Sequence, residues 1–250
     1  MMNLLINEWM KAWYGRKVWI FMSVMGVAVT FTFFVALLMN MNFDLMITTE
    51  DFITVGSAMS FFVILYSFVL ITGAISGEFA SGTIKQLLIR PVSRHRILLS
   101  KWVASLLLSI GLYALMMLVI FLFGLFFPHQ QSLVDTLIDA GLFVLYATPT
   151  FVFYVSFATL VAVITRNTAV TVVITILPYF FADIFLMIAN QYEWTQWVVF
   201  RHIDVFTNYH PASFFEPPFE SMWASIGFLG LHIAVFLAVS HIVFKKRDVI

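Results

Sequence analysis

Hydrophobic residues in this chain gather into six long runs, which are separated by shorter stretches containing charged or loop-forming residues. A helix needs about 20 apolar residues to cross a bilayer, so each run predicts one transmembrane helix. The predicted spans are Val18–Met39, Phe52–Ser76, Trp102–Phe127, Leu142–Ile164, Ala169–Ile188 and Met222–Phe244. No segment shows the alternating polarity of barrel strands. The pattern therefore predicts an all-α integral membrane protein, with residues 1–250 forming a single six-helix transmembrane domain.

The segment before the first span, residues 1–17, has the pattern of an amphipathic helix. At about 100° per residue, six apolar side chains share one side and four polar ones the other. The apolar set is Met2, Leu5, Ile6, Trp9, Met10 and Trp13, and the polar set is Asn3, Asn7, Glu8 and Lys11. Such a helix lies in the plane of the membrane surface. It serves either as a surface anchor or as a docking element, and the pattern leaves both open.

Residues 77–101 connect the second and third spans and predict a short helix with a sharp end. Thr83 and Gln86 have the spacing of a capping box. An apolar stripe of Ile84, Leu87 and Leu88 follows at helical spacing. Pro91 disfavours helix at the residue before it, and Ser93 can cap the next helix. This short helix must pack on the membrane, on neighbouring spans or on another protein, because it is too short to be stable alone in water.

Residues 190–221 form a long loop before the last span, and loops of this length usually carry structure of their own. Trp194, Trp197 and Phe200 are suited to the membrane surface, while Pro211 and Pro217 interrupt any helix in the second half. We predict one or two short re-entrant or interfacial helices that cap the bundle. An aromatic belt with no mechanical role remains the alternative.

Charge distribution predicts the orientation of the chain. Twelve of the 13 basic residues fall on the side that carries both termini, and Arg201 falls on the other. Lysine and arginine accumulate on the cytoplasmic side of membrane proteins, so both termini are predicted to be cytoplasmic. Overall composition agrees with membrane insertion: 62% of residues are hydrophobic and 10% are charged, against about 45–50% and about 25% in soluble domains.

Several kinds of chemistry are missing from the sequence. The chain has no cysteine, no Gly-x-x-x-x-Gly-Lys-Ser/Thr loop for ATP and no basic, aromatic stripe for nucleic acid. Its six histidines are scattered, so no metal site is predicted. Asp183 is the one charged residue inside a predicted span, near its outer end. It is either a functional polar site or a residue that reaches outer-leaflet water or a neighbouring helix.

A family resemblance appears in the connection between the second and third spans. The string Glu78…Gly82-Thr83…Leu87-Leu88…Pro91-Val92-Ser93-Arg94…Leu98-Leu99…Lys101 resembles the cytoplasmic loop of ABC-2-type permeases. These are the membrane subunits of bacterial ABC exporters, and their ATPase is a separate chain. The resemblance also extends to the layout of the whole chain, from the amphipathic first helix to the structured outer loop.

The resemblance implies that Thr83–Arg90 is a coupling helix seated in a cleft of the ATPase. The implied coupling residues are Glu78, Thr83, Ile84, Lys85, Leu87, Leu88, Arg90, Pro91 and Arg94, and Glu8 and Lys11 would contact the ATPase from the first helix. The partners implied are two copies of a P-loop ATPase, which hold ATP and Mg, and a second permease copy, identical or related. This chain would bind no cofactor and would lie in the bacterial cell membrane, in contact with lipid.

Apolar spans that are rich in phenylalanine suit a hydrophobic or amphipathic cargo, such as a peptide antibiotic, a drug or a lipid-like compound. We expect a transporter subunit rather than an enzyme, because the spans contain no pairing of a nucleophile with a base. The alternative function is an ATP-independent channel or ion-coupled carrier, which would require polar rings or buried carboxylates along a pore. Asp183 is the residue on which that alternative depends.

Overall fold

A computed structural model describes residues 2–42, 46–83, 93–189, 191–210 and 216–246. Most of the predicted coupling helix Thr83–Arg90, from Ile84 onward, and the Pro91 that follows it lie outside the described residues. The α-helices are α1 Met2–Tyr14, α2 Lys17–Asn42, α3 Thr49–Ser57, α4 Ser60–Ala80, α5 Arg94–Gly124, α6 Leu133–Thr165, α7 Thr168–Ala189, α8 Val205–Asn208 and α9 Met222–Lys246. Two 3₁₀ helices, Glu193–Trp197 and Val199–His202, precede α8.

Six helical stretches within the described residues are long and apolar enough to cross a membrane, which confirms the predicted number of spans. They are α2, α3 together with α4, α5, α6, α7 and α9. Two helices begin well before their predicted spans, α5 at Arg94 and α6 at Leu133. Both additions carry polar residues, which water or neighbouring groups can satisfy beyond the hydrocarbon, so hydropathy alone does not include them.

The second predicted span, Phe52–Ser76, is two helices rather than one. Thr48 and Asp51 form a capping box that begins α3 ahead of the predicted start, and the chain turns at Ala58 before α4. Gly56 allows α3 to approach α5 closely, because a Cβ placed there would lie 2.6 Å from Cγ2 of Ile120. The apolar run therefore continues across a break that hydropathy does not reveal.

Helix α6 lies at the centre of the bundle and packs against α4, α5, α7 and α9. Its packing includes hydrogen bonds between helices, such as Trp102 Nε1 to Ser156 Oγ at 3.0 Å. The hydroxyl of Tyr113 likewise donates to the carbonyl of Ser57 at 3.1 Å. Bonds of this kind contribute about 0.6 kcal/mol each in membranes. By contrast, α2, α7 and α9 leave most of their apolar surface exposed in the single chain.

The two ends of the bundle differ in charge. One end of the bundle, which we call the basic end, brings together α1, the end of α4, the start of α5 and the ends of α6 and α9. Arg94 donates to the carbonyl of Lys245 at 3.1 Å, and Arg166 lies 4.9 Å above the ring of Phe79. The opposite end, which we call the acidic end, carries the turn from α5 to α6, α3 and the long loop before α9.

The predicted structure in residues 190–221 is present as the two 3₁₀ helices and α8. Trp197, Phe219 and Phe228 pack together, with ring centroids 5.2 to 6.1 Å apart, and Trp197 stays more than half exposed. The hydroxyl of Tyr209 donates to the carbonyl of Phe219 at 2.7 Å. The described part of this loop is therefore fastened to the start of α9 by rings and by side-chain hydrogen bonds.

Candidate functional site

The structure brings four charged side chains from three helices together at the basic end. They are Glu8 and Lys11 from α1, Glu78 from the last turn of α4 and Lys101 from α5. Lys101 Nζ lies 2.8 Å from Glu78 Oε2 and 3.1 Å from Glu8 Oε1. Lys11 Nζ lies 2.8 Å from Glu78 Oε1 and 3.0 Å from Glu8 Oε1. Each lysine therefore bridges both glutamates, and we call this set the ion cluster.

The members of the ion cluster differ in burial. The side chain of Lys101 is 1% exposed, those of Glu8 and Glu78 are 10% and 11% exposed, and that of Lys11 is 45% exposed. Burial lowers the pKa of Lys11, but the hydrogen bonds and charges of Glu78 and Glu8 outweigh this effect, and the net shift is upward. Lys101 is thus the buried centre of the cluster and Lys11 its edge towards solvent.

The ion cluster turns the polar face of α1 towards the spans. Trp9 adds a hydrogen bond from Nε1 to the carbonyl of Ala104 on α5, at 3.4 Å. The apolar side chains of α1 point away, and Met2, Ile6 and Trp13 are 68%, 48% and 46% exposed. A helix that buries charges against the bundle and exposes aromatic residues is suited to lie on lipid.

The sequence-predicted coupling residues are placed only in part by the structure. Glu78 belongs to the ion cluster, and Arg94 opens α5 with its hydrogen bond to the end of α9. Thr83 follows α4, and its hydroxyl is 2.9 Å from that of Ser81. Ile84, Lys85, Leu87, Leu88, Arg90 and Pro91 lie outside the described residues, as does Gln86, the proposed partner of Thr83 in a capping box.

The helix ends on either side of this connection are defined. Helix α4 ends at Ala80, and Gly82 then adopts φ +71°, a left-handed conformation that glycine enters without strain. Ser93 occupies the N-cap position of α5 as predicted, but its side chain makes no capping hydrogen bond, so that part of the prediction is wrong. The chain leaves α4 just after Glu78 and enters α5 about two helical turns before Lys101. The ion cluster therefore joins the two helix ends that flank this connection.

A second feature lies at the acidic end, where a cavity of about 650 Å³ runs between α3, α4, α6, α7 and the long loop. Asp183 of α7 lines this cavity and is exposed in it. Three more carboxylates line it, from Glu50, Asp139 and Asp204. Asp183 was predicted to be either a functional polar site or a residue reaching water or a neighbouring helix, and the structure places it on the wall of a cavity that other acids also line.

Asp204 sits at the start of α8 and faces the same cavity. The hydroxyl of Thr150 on α6 donates to its Oδ1 at 2.8 Å, which ties the long loop to the central helix. Partial removal from bulk water raises the pKa of Asp204, the charge of Asp183 raises it further, and the bond from Thr150 opposes both. The charge of Asp183 therefore reaches Asp204, although the two residues are 21 positions apart in the sequence.

Two groups of functional candidates escaped the sequence analysis. Lys101 lies just before the predicted third span. It comes four residues after Ile97, on the same buried face of α5, and this spacing places it inside the bundle. The polar side chains of α6 that line the cavity were not recognised either: Tyr146, Thr150 and Tyr154 lie within the predicted fourth span, and Thr136 and Asp139 lie before it. Their helical spacing was the available signal, because together with Phe143 they form one stripe that lines the cavity.

The histidines form no metal centre within the described part of the chain, where no group of three histidine, aspartate or glutamate side chains could hold an ion. His95 and His241 meet at the basic end, with ring centroids 4.1 Å apart. His202 lies in the long loop, and its Nε2 is 2.8 Å from the carbonyl of Gln196. Burial lowers the pKa of His202, and the nearby charge of Arg201 lowers it further, while the bond to Gln196 opposes both.

Comparison with known proteins places the chain among membrane proteins. A family described as "Protein of unknown function (DUF2705)" matches residues 44–250. An "Uncharacterized membrane protein YdbK" of Bacillus subtilis is 32% identical over 250 residues, covering 94% of this chain and 98% of that protein. An "Uncharacterized protein YhcI" of the same organism is 24% identical over 229 residues, covering 84% of this chain and 72% of that protein.

Proposed function

Because the chain belongs to the DUF2705 family, whose function is unknown, we propose a function from its own residues: it is the membrane-spanning subunit of an ABC exporter. In this proposal the chain forms half of a translocation pathway together with a second permease copy. Two copies of a separate P-loop ATPase bind ATP and Mg and drive the movement. The cargo is hydrophobic or amphipathic, such as a peptide antibiotic, a drug or a lipid-like compound.

The ion cluster is the observation that carries this proposal. A subunit driven by an external ATPase needs a rigid path from the contact surface into its spans. The connection between α4 and α5 begins beside Glu78 and returns towards Lys101. Glu78 is linked to α1 through Lys11, and Lys101 is linked to it through Glu8. A push on this connection would therefore act on three helices together rather than on a free loop.

The proposal includes an orientation. Nine of the ten lysines and arginines among the described residues lie at the basic end, so in this proposal that end faces the cytoplasm, where an ATPase would dock. The acidic end, with its cavity, faces outward. In a bacterium this membrane is the cell membrane, and α1 lies along its inner surface with the exposed tryptophans in the lipid.

Contact with an ATPase can be tested by site-specific crosslinking, because the chain contains no cysteine. Leu87→Cys is expressed in the native host and treated with a bifunctional maleimide–photoreactive reagent, and the products are identified by mass spectrometry. We expect a P-loop ATPase as the adduct. Gln131→Cys, at the acidic end, is the matched control and should give none.

A functional measurement separates the proposal from unaided transport. The purified chain alone should hydrolyse no ATP, while the reconstituted complex should couple ATP hydrolysis to transport. Substitution of Leu87 or Pro91 should reduce transport-linked hydrolysis while the complex still assembles. Transport of cargo by the chain without any ATPase would contradict the proposal.

The acidic cavity favours a second candidate function, an ATP-independent channel or ion-coupled carrier. Asp183 and Asp204 are carboxylates that an inorganic cation could pass or occupy. This candidate predicts that Asp183→Asn abolishes ion flux into vesicles that contain the chain and no ATPase. An unchanged flux, or none in the wild-type chain, would remove this candidate.

A further inference from the structure

The cavity at the acidic end has the size and walls of a ligand site. Its volume of about 650 Å³ falls inside the range of about 300–1,000 Å³ that is usual for small-molecule pockets. Along α6 its lining extends from Thr136 to Tyr154, which corresponds to roughly 27 Å of helix. The cavity therefore reaches from the acidic end well into the depth of the bundle.

The walls combine negative charge with aromatic rings. Four carboxylates line the cavity, and among its described lining residues there is no lysine or arginine to balance them. The aromatic lining consists of Tyr113, Phe143, Tyr146, Tyr154, Tyr179 and Phe200. Tyr154 and Tyr179 pack edge to face at its deep part, with ring centroids 5.0 Å apart. Negative charge with ring faces is the combination that attracts organic cations.

One polar group on the cavity wall belongs to a largely buried residue and has no hydrogen bond within the described chain. Tyr154 is 3% exposed and lines the cavity, yet the structure gives its hydroxyl no hydrogen bond to any described residue. Buried tyrosine hydroxyls usually have a partner. Here the group that could supply one is whatever occupies the cavity, since Thr150 beside it is already committed to Asp204.

An inorganic cation fits this site less well than an organic one. Bound Ca²⁺ or Mg²⁺ needs several oxygen ligands converging within about 2.6 Å of one point. No three acidic or histidine side chains in the described chain are grouped closely enough for that. The carboxylates are instead spread along the cavity, which suits a charge carried on a larger, partly apolar molecule.

We propose that this cavity binds an amphipathic organic cation, with Asp183 and Asp204 holding its charge and Tyr154 and Tyr179 holding its apolar part. The site is formed by one copy of the chain. It does not depend on an ATPase partner, so binding can be measured whether or not the chain belongs to an exporter.

The test uses tetraphenylphosphonium, an aromatic organic cation, with the purified full chain in detergent micelles and equilibrium dialysis. We expect saturable binding of one cation per chain. Tetraphenylborate, which has the same shape and the opposite charge, should show no saturable binding. The variant with both Asp183→Asn and Asp204→Asn should weaken cation binding about tenfold or more.

Matched controls separate the cavity from general surface charge. Glu193 and Glu220 are exposed carboxylates outside the cavity, and the variant with both Glu193→Gln and Glu220→Gln should bind the cation as the wild type does. If the double aspartate variant does not fold, Tyr179→Phe and Tyr179→Leu give an independent comparison. The phenylalanine variant keeps the ring and should keep binding, whereas the leucine variant should weaken it several-fold.

Four results would overturn the proposal. These are the absence of saturable cation binding, equal binding of the borate anion, equal loss of binding in the glutamate and aspartate variants, and displacement of the cation by micromolar Mg²⁺. The last result would identify the cavity as an inorganic cation site.

Discussion

Replacing Lys101 with methionine is the perturbation that bears most directly on the ion cluster. Methionine keeps much of the length of the lysine stem but removes the ammonium group that lies 2.8 Å from Glu78 and 3.1 Å from Glu8. These two carboxylates, about one-tenth exposed, would then share the ammonium of Lys11 alone.

The size of the effect follows from burial. Removing one partner of a buried ion pair costs about 3–5 kcal/mol, because the remaining charge stays desolvated. An exposed pair is worth about 0.2–1 kcal/mol. Lys101 is 1% exposed and Lys11 is 45% exposed. We therefore expect Lys101→Met to lower the free energy of unfolding by about 3–5 kcal/mol and Lys11→Met to lower it by about 1 kcal/mol or less.

The assay is reversible unfolding in mixed micelles of dodecyl maltoside and SDS, followed by far-ultraviolet circular dichroism. A triple variant, in which Lys101→Met is combined with Glu8→Gln and Glu78→Gln, is the key control. It replaces the three buried members of the cluster and leaves only the half-exposed Lys11 charged. Replacing a buried ionic group by uncharged side chains of similar volume is often close to neutral in stability, so this variant should recover most of the loss.

Two results would refute the argument. Equal costs for the Lys101 and Lys11 variants would show that burial does not set the strength of the cluster. A triple variant as unstable as Lys101→Met would show that the loss comes from packing rather than from unpaired charge.

Three further predictions concern other parts of the molecule. Asp204→Asn should raise the melting temperature at pH 7, because the raised pKa of Asp204 means that its ionised carboxylate destabilises the fold. The gain should disappear below about pH 4, where the folded and unfolded wild-type chains both carry the protonated acid. A lower melting temperature of the variant at pH 7 would contradict this prediction. Gly56→Ala should lower the free energy of unfolding by about 1–3 kcal/mol in the same assay, because the added Cβ clashes with Ile120. Adding Ile120→Ala should relieve that clash, and a cost that Ile120→Ala does not change would rule out the clash as its cause. In inside-out vesicles an impermeant maleimide should label Ser81→Cys and leave Gln131→Cys unlabelled, and the reverse pattern would invert the proposed orientation.

Hydropathy was sufficient to predict the six spans, because each run is long enough to cross a bilayer and is bounded by polar residues. It could not place the break between α3 and α4, because no charged residue or proline marks Ala58 and Met59, where the helix is interrupted. Hydropathy alone also left out the first turns of α5, but Ser93 marked their start in the sequence, and Lys101 is held there by two carboxylates.

The candidate sites were predictable to different degrees. Asp183 was identified because one charge in an apolar run is conspicuous in the sequence. Asp204 was not, because it lies in a loop where acids are common, and only folding brings it to Thr150 on α6. The ion cluster was equally hidden, since Glu8 and Lys101 are 93 positions apart. Pairing between distant segments is a property of the tertiary structure, and the pattern of a single chain does not contain it.

The ion cluster contains two lysines and two glutamates, so its formal charges sum to zero. An electric field across the membrane exerts force in proportion to net charge. In the proposed orientation, the net force of the membrane voltage on the intact quartet would therefore be close to zero. Only a displacement that separates the lysines from the glutamates would make this junction sensitive to voltage.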